Sequence, residues 1–122
     1  MKTYNLTTLF TLFFFSTLCF ANEADVLTAK AHCNKNRICS FDVTIKHDDK
    51  NWNHYANGYE ILTLDNKKLG KRVLHHPHIN EQPFTRSIRD IKIPKNTNKV
   101  IIRAHDIIHG SGGEEVVIKL FK

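Results

Sequence analysis

The chain has 122 residues, with 18 Lys and Arg against 12 Asp and Glu for a formal net charge of +6, and it carries eight His, three Cys, five Gly and three Pro. That length holds one small domain and excludes a multidomain enzyme. The basic residues are scattered singly or in pairs, as in Lys67-Lys68 and Lys71-Arg72, without the dense stripe and interleaved aromatics that track a phosphate backbone, so no nucleic-acid partner is expected.

Met1 to Ala21 reads as a secretory signal peptide. Lys2 supplies the charged start, Leu9 to Phe20 the apolar stretch and Ala21 the small residue at the cut, leaving residues 22–122 as the folded domain. Cys19 is a poor lipid-attachment site, because Leu18 puts a large residue where that motif wants a small one. No later apolar run is long enough to span a bilayer. The expected location is therefore periplasmic or secreted, without a membrane span. In an oxidising compartment Cys33 and Cys39 are expected to form a disulfide across a short loop.

Beyond Ala24 short β-branched and aromatic runs alternate with turn residues. They predict strands over 24–32, 38–46, 58–64, 69–75, 84–93, 99–105 and 115–121. In the second strand Cys39, Phe41, Val43 and Ile45 form an apolar row against Ser40, Asp42 and Thr44. In the sixth, Val100, Ile102 and Ala104 oppose Ile101, Arg103 and His105. The third is more continuously apolar and suits a central position. Seven short strands at about ten-residue spacing predict a single immunoglobulin- or fibronectin-III-like antiparallel β-sandwich.

Such a sandwich places alternate connections at the same end. His47 and His54 fall in the second-to-third connection, His75, His76 and His78 after the fourth strand, and His105 and His109 around the sixth-to-seventh connection. Seven of the eight histidines thus converge on one rim, and only His32 lies elsewhere. In His76-Pro77-His78 the proline favours extended chain, in which residues i and i+2 face the same side. One helical turn over residues 105–109 would put His105 and His109 on one face. These features predict a transition-metal site with His76, His78, His105 and His109 as ligands and His47 or His54 completing it. Glu81, Asp106 and Asp48 are candidates to accept the second ring N–H of a ligating imidazole. Histidine ligands with little sulfur suit copper or zinc, with iron or nickel as alternatives.

No Ser or Cys nucleophile with an adjacent base stands out, so a non-enzymatic copper or zinc carrier or buffer is the leading expectation, and any enzyme would be metal-dependent, with redox chemistry first. The alternatives are an immunoglobulin-like interaction module whose histidine rim binds a protein or a small anion in a pH-dependent way, and an accessory subunit of an exported complex that pairs through an edge strand.

The segments His47 to Tyr55, His76 to Arg86 and Ala104 to Gly110 together resemble a group of small exported bacterial proteins of uncharacterised activity. That resemblance implies a common single-domain architecture and supplies no activity. Superoxide reductase is similar in its histidine-rich rim on an immunoglobulin-like domain. Its iron also needs a cysteine thiolate, however, and Cys33 and Cys39 are expected at the opposite end. Copper–zinc superoxide dismutase shares with His76-Pro77-His78 only the His-x-His spacing.

Overall fold

A computed structural model of the chain describes residues 23–122. The expected signal peptide, with Cys19, lies outside these residues. Seven strands follow in order: β1 (Asp25–Cys33), β2 (Ile38–Lys46), β3 (Ala56–Leu62), β4 (Lys68–Val73), β5 (Phe84–Lys92), β6 (Lys99–Asp106) and β7 (Val116–Lys119). They form two antiparallel sheets, β1-β2-β5 and β4-β3-β6-β7, and no helix occurs among the described residues. This is the expected sandwich, and β3 lies inside its sheet as its apolar run requires.

The two apolar rows face each other across the interior. Cys39, Phe41, Val43 and Ile45 of β2 are buried, as are Val100, Ile102 and Ala104 of β6 and Tyr59 and Ile61 of β3. Tyr59 also ties the sheets together, its hydroxyl donating to the Arg86 carbonyl of β5 at 2.8 Å. Burial raises the Tyr59 pKa, so the phenol remains protonated and a donor at any ordinary pH.

Three strand ends differ from expectation for local reasons. β3 stops at Leu62 because the Thr63 hydroxyl bonds Asp65 and accepts the Lys67 N–H, turning the chain. β4 ends at Val73, and the Leu74 N–H turns to the Asn57 carbonyl. β7 is reduced to the four residues that pair with Lys99 to Ile102.

Cys33 and Cys39 are disulfide-bonded, as expected, across the β1–β2 hairpin. Closing so short a loop restricts the unfolded chain modestly, by about 2 kcal/mol. A Cys33→Ala/Cys39→Ala variant should lose about that much stability in urea denaturation. The histidine rim should be unaffected, because the bridge is at the far end from it.

Candidate metal centre

The buried rows do not stop where the strands do. Past Ile45 the alternation continues through His47 and Asp49, both buried, with Lys46, Asp48 and Lys50 exposed between them. In β6 the row Val100, Ile102, Ala104 ends on buried Asp106. The same period that packs the core therefore carries one imidazole and two carboxylates to its open end.

Each is held by its own loop. Asp49 is fully enclosed and accepts from the Ala56 N–H at 2.9 Å and the His78 N–H at 2.7 Å, while its Oδ1 lies 2.5 Å from His47 Nδ1. Burial pushes its pKa up, but these hydrogen bonds outweigh burial and hold the carboxyl below the usual carboxylate range. His47 is tethered a second time, its N–H donating to Gln82 Oε1 at 3.0 Å. Asp106 closes the turn after β6, its Oδ1 accepting from the Ile108 N–H at 2.9 Å and the His109 N–H at 2.6 Å. Gly110 completes that turn at φ 67°, exchanging backbone hydrogen bonds with Asp106.

An Asn51 side chain that accepts the Asn53 N–H turns the β2–β3 loop and brings His54 back over His47, with ring centroids 4.8 Å apart. Asp106 is the common neighbour. Its carboxylate oxygens lie 3.6 Å from His47 Nε2, 3.8 Å from His54 Nε2 and 3.2 Å from His109 Nδ1. One donor atom from each of His47, His54 and Asp106 falls within 4.8 Å of the others. The His109 ring, 5.0 Å from that of His54, is half-exposed beside them. Among the described residues, the ion-pair partners of Asp49 and Asp106 are all imidazoles, with no Lys or Arg.

The expected ligands are thus divided. His47, His54 and His109 come together, and Asp106 stands among the donor atoms instead of behind a histidine. His78 is buried on the other side of Asp49, its ring stacked on Phe84 at 4.1 Å and its Nδ1 3.9 Å from Asp49 Oδ2, with the exposed His76 ring 4.6 Å from it. His105 is not brought to this group. The chain stays extended through Asp106 and no helical turn forms over residues 105–109, so His105 falls on the outward row of β6. There its Nδ1 is 2.6 Å from Asn57 Oδ1 and its ring lies over Gly58, where a Cβ would come within 2.8 Å of it.

Asp48 is exposed and paired with Lys50 at 2.8 Å, and Glu81 pairs with Arg86 at 3.2 Å, so neither orients His47, His54 or His109 in this arrangement. It is Asp49, not Asp48, that meets the His47 ring. The i, i+2 spacing from His47 was the available signal, because only Asp49 shares its face of an extended chain.

Two histidines should make the protein acid-sensitive. Burial lowers the pKa of His78, aided by Arg86 and His76, and burial likewise lowers that of His105, Lys71 adding to it and Glu60 opposing it. Unfolded imidazoles titrate near 6.5, so below that pH the unfolded chain binds more protons and stability falls as pH drops toward the depressed folded values. Asp49 adds a further loss below about pH 4, as its carboxylate is protonated. Urea denaturation should show stability decreasing from pH 7 to pH 5, and a His105→Gln variant should show a shallower slope over that range. Equal stability at pH 7 and pH 5 would contradict this.

Over 96 residues the chain is 38% identical to a protein of Halomicrobium mukohataei named "Putative lipoprotein". The match covers 79% of this chain and 47% of that protein, so the chain spans about half the length of the relative it matches. No family model matches the chain. No solved structure matches it significantly.

Proposed function

We propose that this chain is an exported metal-binding protein, a copper or zinc carrier or buffer, whose ion is held by His47, His54 and Asp106 with His109 beside them. The observation that carries the reading is the convergence of three donor atoms within 4.8 Å from the β2–β3 loop and the end of β6. Charge supports it. Among the described residues the two enclosed carboxylates have no Lys or Arg partner, and a divalent cation would supply the positive charge that neutral imidazoles do not. Asp49 would accept the Nδ1–H of His47 and leave Nε2 to the ion, the usual arrangement behind a metal-bound histidine. Imidazole and carboxylate donors suit zinc and copper, and iron or nickel after them. Export is supported by the N-terminal segment and by the relative's name.

The test is metal content by elemental mass spectrometry on protein exported to a periplasm, followed by titration with Zn(II) and Cu(II), beside a His54→Ala/His109→Ala variant. A tight equivalent in the wild type that the variant loses is expected. Wild-type protein that binds neither ion better than micromolar overturns the reading.

A second reading, a protein-binding module, draws support from exposed apolar side chains on the same rim: Trp52, Ile79, Ile107 and Ile108 on the β2–β3, β4–β5 and β6–β7 loops. Metal-free binding to a partner that changes steeply between about pH 7 and pH 5.5 would favour it.

A further inference from the structure

We propose that His76 and His78 form a second cation site, on the outer side of Asp49 from the His47, His54 and Asp106 group, taking a divalent copper or zinc ion. The inference rests on the reading of this rim as a metal-binding end and adds a second position to it.

His78 is 5% exposed, yet both its ring nitrogens are buried without a hydrogen-bond partner. Buried polar atoms in folded proteins are nearly always satisfied, so an imidazole orphaned at both nitrogens calls for a ligand. Asp49 does not supply one. At 3.9 Å its Oδ2 is beyond hydrogen-bonding distance of Nδ1, and that oxygen already accepts the His78 backbone N–H. The ring is held in place by parallel stacking on Phe84, with an interplanar angle of 10°. Its loop is held by Gln82, whose Nε2 donates to the His78 carbonyl at 2.9 Å while its Oε1 accepts from His47.

His76 completes the pair from the solvent side. Its ring centroid lies 4.6 Å from that of His78, with the rings tilted by 36°, so the two imidazoles are direct neighbours. Its Nδ1 faces the Pro77 carbonyl at 3.0 Å, which leaves Nε2 as the ligating nitrogen. Glu81, paired with Arg86, is near enough for both imidazoles to lower its carboxyl pKa, after the larger effect of Arg86. The Arg86 guanidinium opposes a cation here, and its bonds to Glu81 compensate its charge. Asp49 separates the two positions, one oxygen toward His47 and the other toward the His78 loop. With two protein ligands and water in the remaining positions, the outer site should be the weaker.

Equilibrium dialysis of the exported protein against Zn(II), and separately Cu(II), with elemental analysis, should show two bound equivalents. A His76→Ala variant, altered only at an exposed side chain, should lose the weaker equivalent and keep the tighter one. His54→Ala should do the reverse. One wild-type equivalent that His54→Ala removes and His76→Ala leaves intact would overturn the outer site while sparing the proposed function, and would mean that water alone satisfies His78. One equivalent removed by His76→Ala and left by His54→Ala would support the outer site and overturn the buried one. Paramagnetic broadening of the His76 ring signals by Cu(II) in the His54→Ala variant, where the buried position is lost, would support the outer site directly, and its absence there would count against it.

Discussion

Asp49→Ala should be the most destabilising single substitution in this end of the molecule, costing roughly 3–5 kcal/mol. The carboxylate is fully enclosed and gathers three segments: the His47 ring after β2, the Ala56 N–H at the start of β3 and the His78 N–H in the β4–β5 loop. Alanine would leave two buried N–H groups without acceptors and His47 without its orienting partner. Each hydrogen bond to a charged acceptor is worth about 1.5–3 kcal/mol, and an orphaned buried donor adds a desolvation penalty. For a domain of this size the expected fall in Tm is roughly 15–30 °C. Thermal and urea denaturation of metal-free protein check it, and a loss below about 1 kcal/mol would mean that Asp49 does not organise the rim. Asp48→Ala is the matched control. That side chain is exposed and bonded to Lys50, so its loss should leave stability essentially unchanged.

Asp106→Asn should separate metal binding from folding. The amide oxygen can still accept from the Ile108 and His109 N–H groups, so the turn after β6 should persist. What disappears is the charge shared by His47, His54 and His109. Loss of a residue that only supports a ligand costs 10–100-fold in affinity, so loss of the charged donor should cost at least about 100-fold. Zn(II) at about 100 times the wild-type dissociation constant should stabilise the wild type by about 2.7 kcal/mol, raising Tm by roughly 10–20 °C. At the same concentration the variant should gain only about 0.4 kcal/mol, a few degrees. An equal rise in both proteins would show that Asp106 does not hold the ion. The wild-type rise should also shrink in acid, because imidazoles must be neutral to ligate.

The fold was legible because its signal is local. Phe41-Val43-Ile45 and Val100-Ile102-Ala104 repeat with period two, and each row can bury itself only against a facing sheet. The sorting of connections by end follows from antiparallel strand order, which brought the loops bearing His47, His54, His78 and His109 to one rim. Tracing the same period beyond the strand ends would also have placed Asp49 and Asp106 on the core face and His105 on the outer one. The expectation of a helical turn over 105–109 set that period aside, and the continued pairing of β6 restored it.

The grouping within the rim was not legible. Whether His54 returns to His47 or points into solvent depends on how the Asn51 turn closes, and whether His78 joins His109 or His76 depends on which side of Asp49 its loop is pinned. These contacts join residues up to 59 positions apart in sequence, as between His47 and Asp106, and no local pattern encodes their distances. Strand period and turn chemistry act between near neighbours, so an all-β sandwich with a histidine-rich end can be read from the residues alone. Which imidazoles share a carboxylate depends instead on where three separate loops are tethered once the sheets have packed.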